Sequence, residues 1–188
     1  MRIIRGNFRG KKLIQPLNEK TRPLRDMVKE AIFNLLEHSN KFNIKIENSK
    51  VLDLFAGTGS FGLECISRNA KKVVFFEKDI DALKVLDANL KILKYPSNCE
   101  VFDKDCFKYL NKNQNFKIKF DIIFLDPPYK ELKVNEIIEK ILKIKILNNN
   151  GILILHKHKK DKQKITEKLR VFENRTYGIS RIIYGVKN

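Results

Sequence analysis

The stretch Asp53-Leu54-Phe55-Ala56-Gly57-Thr58-Gly59-Ser60-Phe61-Gly62 holds a G-x-G-x-x-G between an apolar run, Val51 to Phe55, and a segment of helical pattern, Ser60 to Arg68. In a strand–turn–helix context the first glycine permits a tight turn. The second lets backbone approach a ligand, and the third lets helix and strand pack closely. The next apolar run, Val73 to Phe76, leads into Glu77, 20 residues after Gly57. A carboxylate at that place can bond a ribose diol, so a nucleoside-containing cofactor is expected. The bland alternative is a glycine turn that serves helix packing alone.

Outward from the loop the pattern alternates. Ile80 to Leu93 reads as a helix with Leu83, Leu86, Leu90 and Leu93 on one stripe, and Glu100 to Phe102 as a brief strand. Cys106 to Leu110 is a short helix, Ile122 to Leu125 a buried strand, Val134 to Ile146 a helix and Gly151 to Leu155 a buried strand. Arg170 to Tyr177 and Ser180 to Val186 pair around Gly178. Strands alternating with helices imply an α/β fold, a mostly parallel, seven-stranded Rossmann-like sheet with helices on both faces. Residues 1–20 read as an N-terminal basic β-hairpin extension, with Arg2 to Ile4 and Lys11 to Ile14 around Gly6 to Gly10, and 21–188 as the main domain. A helix begins near Pro23, with Leu24, Val28, Ala31, Ile32 and Leu35 on one face. Asn111 to Asn115 and Asn148 to Asn150 read as polar loops.

The loop fits either NAD or S-adenosylmethionine. Asp53, four residues before the first glycine, favours the latter: it can face a cationic amino-acid moiety and would repel a pyrophosphate. Asp105, after the third strand, can receive an adenine amino group or cap the helix that follows it. The tetrad Asp126-Pro127-Pro128-Tyr129 follows a buried strand, where ligands of open α/β sheets bind. Its prolines remove two N–H donors. The Asp126 carboxylate and Pro127 carbonyl then offer acceptors beside the Tyr129 ring, which suits a planar amino group. The alternative for the tetrad is a rigid turn.

The chain has 188 residues and a net charge of +17. Lysine is the default cation, but five of the nine arginines fall in the first 25 residues, and clustered Arg suits bidentate contact with phosphate. Three cysteines without a C-x-x-C pair exclude a disulfide scaffold and a cysteine zinc cluster. No apolar run has the roughly 18 residues needed to span a bilayer. A soluble, cytoplasmic protein with an anionic partner is expected. The Lys157 to Arg170 run reads as a solvated helix rather than a second phosphate footprint. His156 and His158 lie on one strand face, a possible metal pair, but with no third ligand nearby they read as solvent-edge residues. Cys65 and Cys99 read as buried, and Cys106 as a neighbour of an adenine site.

Tetrad and loop together resemble the exocyclic-amine N-methyltransferases that use S-adenosylmethionine. Met1-Arg2-Ile3-Ile4-Arg5-Gly6, Arg9-Gly10-Lys11-Lys12-Leu13, Thr21-Arg22-Pro23 leading into Glu30-Ala31-Ile32-Phe33-Asn34, the loop itself, Gly62-Leu63-Glu64 and Ser67-Arg68 narrow this to a resemblance to the RsmD family. The resemblance implies methyl transfer to N2 of a guanine in bacterial 16S ribosomal RNA, of the guanine-966 type, with naked RNA or a partly assembled small subunit as substrate. It implies that Asp53, Ala56, Gly57, Gly59 and Glu77 hold S-adenosylmethionine, with Asp105 near its adenine. Asp126, Pro127 and Tyr129 would hold the guanine, without a metal. Arg2, Arg5, Arg9, Lys11, Lys12, Arg22 and Arg25 would meet RNA. One departure is Asn69, where the family has glycine after Ser-Arg; the site reads as a left-handed helix cap, which Asn tolerates. Adenine N6, cytosine N4 or a glutamine amide remain alternative acceptors, and an NAD oxidoreductase or a non-catalytic RNA-binding module more distant readings.

Overall fold

The computed structural model describes residues 1–16, 24–39, 44–112, 118–128 and 131–188. Thr21, Arg22 and Tyr129 therefore lie outside the described residues, as does the boundary expected after residue 20. The chain forms α1 (Asp26–His38), β1 (Lys50–Asp53), α2 (Ser60–Ser67), β2 (Lys72–Glu77), α3 (Ile80–Ile92) and β3 (Cys99–Asp103). It continues with α4 (Cys106–Lys112), β4 (Phe120–Leu125), α5 (Val134–Lys143), β5 (Leu147–His158), β6 (Leu169–Tyr177) and β7 (Ser180–Lys187). The seven strands make one sheet in the order β3-β2-β1-β4-β5-β7-β6. β1 to β5 are parallel, and β7 and β6 close the edge antiparallel. Strand order reverses between β1 and β4, the switch point beyond whose carboxyl ends such sheets bind ligands.

Side chains alternate between two apolar layers, as the period of two in a strand requires. Val51, Val73, Phe75, Ile122, Phe124, Ile152 and Ile154 face α1, α2 and α3. Leu52, Leu54, Val74, Phe76, Ile123, Leu125, Leu153 and Leu155 face α4 and α5. α5 buries Val134, Ile137, Ile138 and Ile141, a helical stripe that core packing consumes.

Three expectations are corrected. Asn148 to Asn150 belong to β5, because the strand begins at Leu147 beside Phe120. Asn111 lies in α4. Lys157 to Arg170 is not a helix: it is the end of β5, turns, and the start of β6. Lys157 there is 3% exposed and paired with Asp161 at 2.8 Å, so this end of the run is folded inward.

The N-terminal segment is bound to the domain rather than trailing from it. Arg2 bridges Lys12 in antiparallel sense, and Ile3 and Leu13 are buried in the α1–α3 layer. The fully buried Glu64 of α2 accepts the N–H groups of Ile4 at 2.8 Å and Arg5 at 2.9 Å. It also pairs with Arg68 at 2.8 Å and stands 3.7 Å from the buried Lys29, whose ammonium donates to the Arg2 carbonyl at 2.7 Å. Gly6, at φ +82°, runs so close to α2 that a Cβ there would lie 1.8 Å from the Ser67 carbonyl oxygen. α2 itself ends as read: Asn69 has φ +63°, and the N–H groups of Asn69 and Ala70 return to Ile66 and Cys65.

Candidate active site

A cleft of about 990 Å³ opens over the carboxyl ends of β1, β2, β4 and β5. Its wall includes Asp53, Ala56, Gly57, Glu77, Asp105, Asp126 and Pro127, so sequence-distant candidates meet in one place. Exposed Arg25 lines it too, beside Leu24 and Met1.

Asp53 ends β1 on the same face as Val51. It is 1% exposed; Oδ2 accepts the Gly62 N–H at 3.2 Å, and Oδ1 is buried with no partner. Burial pushes its carboxyl up to about 8, opposed by the Gly62 bond and reinforced by the charges of Asp126 and Glu77. An orphaned buried acceptor calls for a donor, and a cationic one would also restore the anion.

Glu77 ends β2 and gathers three backbone donors: Gly57 at 2.7 Å, Lys78 at 2.8 Å and Asp79 at 2.8 Å. It shapes the loop besides facing the cleft. Gly57, at φ +55°, lines the cleft. Gly59 does not: at φ +82° its missing Cβ makes room for Leu86, which would lie 2.4 Å away. Its glycine requirement comes from packing against α3, while Gly62 packs on Phe75 as expected, with a Cβ clash at 2.2 Å.

Asp105 caps the helix, one of the two readings, and it also lines the cleft. Its Oδ1 accepts the Lys108 N–H at 3.1 Å, capping α4, and it lines the cleft, bridged to Lys78 at 2.9 Å. Burial works against its charge, but the Lys78 and Lys108 hydrogen bonds outweigh it and hold the carboxyl below its ordinary value. Cys106 lines the cleft as expected, its thiol pushed up to about 12 by burial. Cys65 is buried and Cys99 half-buried.

Beyond β4, the Pro128 carbonyl accepts the Glu131 N–H at 2.8 Å, closing the turn. Asp126 and the buried Pro127 face the cleft. His156 corrects the solvent-edge reading. It is 6% exposed, lines the cleft, and its Nδ1 lies 2.7 Å from Asp126 Oδ1. The signal was available in principle: it follows the apolar run Gly151 to Leu155 with the same parity as Ile152 and Ile154. Among the described residues, no group of three or more His, Cys, Asp or Glu is placed to hold a metal ion.

Arg2, Arg5, Arg9, Lys11 and Lys12 are exposed on the N-terminal segment. The Arg5 guanidinium lies 2.9 Å from Glu37, so any phosphate must compete with that carboxylate.

The family described as conserved hypothetical protein 95 matches residues 1–186, nearly the whole chain. The chain belongs to this family, the RsmD family. It is 38% identical over 181 residues to ribosomal RNA small subunit methyltransferase D of Haemophilus influenzae, covering 95% of this chain and 90% of that protein. It is 33% identical over 153 residues to the protein of the same name in Escherichia coli K12, covering 81% and 69%. A solved Escherichia coli structure, "Putative methyltransferase yhhF", superposes with a TM-score of 0.83 at 25% identity, covering 100% and 98%. RsmD-family membership thus agrees with the sheet order and with the site at its switch point.

Proposed function

We propose that this protein transfers a methyl group from S-adenosylmethionine to the exocyclic N2 of a guanine in 16S ribosomal RNA, of the guanine-966 type. The observation that carries the reading is one cleft holding two unlike halves: Asp53 and Glu77 over β1 and β2, Asp126 and Pro127 over β4. The naming of the two relatives as small-subunit methyltransferases supports ribosomal RNA as substrate.

S-adenosylmethionine would supply an electrophilic methyl group, and the orphaned Asp53 Oδ1 fits its ammonium. Gly57 and Ala56 would border it, Glu77 would accept from its ribose, and Asp105 would lie toward its adenine. A guanine amino nitrogen is a weak nucleophile because its lone pair spreads into the ring. Hydrogen bonds from its two N–H groups to Asp126 and to the Pro127 carbonyl would localise that pair. They strengthen as positive charge develops on nitrogen, so they stabilise the transition state more than the ground state. Asp126 then receives the departing proton. Reaching the cleft requires the base to leave its stack, and Tyr129 would offset this by stacking worth about 1–3 kcal/mol. The exposed N-terminal cations and Arg25 would hold the flanking phosphates.

The test is incubation with labelled S-adenosylmethionine and two substrates, naked 16S RNA and a partly assembled small subunit lacking the modification. Nucleoside digestion should yield N2-methylguanosine, from the particle above all. N6-methyladenosine or N4-methylcytidine would redirect the assignment to another base, and methylated protein to a glutamine amide.

A further inference from the structure

His156 and Asp126 are brought together by strand register. Leu155 of β5 pairs with Leu125 of β4, so the next residues, His156 and Asp126, emerge side by side at the carboxyl ends of parallel neighbours. Both continue the alternation of the α1–α3 face, as Asp53 does from Val51. The imidazole is 6% exposed and its Nδ1 stands 2.7 Å from Asp126 Oδ1, the length of a charge-assisted bond. No described residue bonds Asp126 Oδ2. Nothing in the chemistry assigned to Asp126 so far says how its carboxylate is aimed or how its charge is kept.

We propose that His156 is the positioning residue for Asp126: its neutral imidazole, protonated at Nδ1, donates to Oδ1 and leaves Oδ2 for the substrate amine. This rests on the methyl-transfer reading above. In that reaction the N–C bond forms as the donor's S–C bond breaks, with the electron pair left on sulfur. The nitrogen's proton passes to Asp126 Oδ2. Throughout, the Nδ1–H bond fixes the carboxylate against rotation, which two free oxygens at a half-exposed turn would not resist. A second proton on the imidazole turns the pair from a net anion to a neutral ion pair and weakens Asp126 as proton acceptor.

Other titratable groups line the same cleft, among them Asp53 at the end of β1, whose raised carboxyl the charge of Asp126 reinforces, and Glu131 beyond the tetrad. Lys157, next along β5, turns to the other face and is bound to Asp161 at 2.8 Å. On β7, Ile182 lies beside His156 and Ser180 lines the cleft; Arg181 donates to the Asp161 carbonyl at 3.2 Å. His158 accepts the Lys160 N–H at 3.0 Å.

The experiment combines single-turnover methyl transfer to the small-subunit particle with imidazole nitrogen NMR. His156→Leu should slow the chemical step about 10- to 100-fold with S-adenosylmethionine affinity within about twofold. His156→Asn, whose amide can donate from the Nδ1 position, should recover most of the rate. NMR should show the neutral Nδ1–H form of His156 at pH 8, and Asp126→Asn should change that signal. A rate in His156→Asn no higher than in His156→Leu, a normal rate in His156→Leu per folded molecule, or a neutral Nε2–H form would overturn the proposal. A wild-type protein that methylates no RNA would instead defeat the methyl-transfer reading, and the NMR result would still decide the pairing.

Discussion

The Gly57 N–H donates to Glu77 Oε2 across 2.7 Å, so the carboxylate that ends β2 and the glycine that opens the loop after β1 form one unit. With the Lys78 and Asp79 N–H groups on Oε1, Glu77 satisfies three donors. Glu77→Ala should therefore act twice. Thermal melts should show a loss of about 1–3 kcal/mol from orphaned donors, and calorimetry about a 5- to 150-fold weaker S-adenosylmethionine affinity. A stable variant with unchanged affinity would leave Glu77 as a bystander.

Asp53 predicts a pH dependence of definite sign. Its carboxyl has an unperturbed value of 3.8 and, buried in the fold, holds its proton up to about 8. Folding takes up a proton in that window, so this group's contribution to stability falls as pH rises from about 4 to about 8. Asp53→Asn should melt higher than the parent at pH 8 and differ little at pH 4. Cofactor binding needs the anion, so affinity should rise toward pH 8, by at most about tenfold per unit, and binding at pH 7 should release a proton. Calorimetry in buffers of different ionisation enthalpy reads the proton directly. Asp53→Asn should lose both the affinity and its pH dependence.

The N-terminal segment should prove inseparable from the fold. Gly6→Ala places a Cβ against the Ser67 carbonyl at a left-handed φ, and a loss of about 2–4 kcal/mol is expected in denaturant titration. Glu64→Ala leaves buried Lys29 and Arg68 without their shared carboxylate and should cost about 3–5 kcal/mol. Mild effects from both would mean that the segment is loosely attached.

Replacing Arg2, Arg5 and Arg9 by Gln should weaken RNA binding and flatten its salt slope by about 0.7–0.9 per lost phosphate contact, with cofactor affinity unmoved. Arg5 should contribute least, because Glu37 already holds it. A filter-binding series in salt checks both statements.

Much of this architecture was legible because periodicity and glycine spacing are local signals. The short continuous apolar runs marked β1, β2, β4 and the core of β5, and Asn69 announced its left-handed cap. What escaped depends on neighbours distant in sequence. Gly59 looked like a ligand-facing glycine, but Leu86 of α3 decides its role. Asn148 to Asn150 looked like a loop, but they lie within β5 between Leu147 and Ile152, which both pair with β4. His156 looked like an edge histidine, because its burial and its partner Asp126 follow from the β4–β5 register, which the linear pattern does not contain. Asp105 was left between two readings; it caps α4 and stands on the cleft wall.

The most direct test of the cleft as a methyl-transfer site is single-turnover transfer by Asp126→Asn, normalised to folded protein by a melt. The change keeps the shape and one acceptor but removes the negative charge. A contact that strengthens in the transition state predicts a rate lower by about 10²–10³, with S-adenosylmethionine affinity changed far less. A destabilised variant that turns over at the full rate per folded molecule would contradict the account and leave Asp126 as a turn residue.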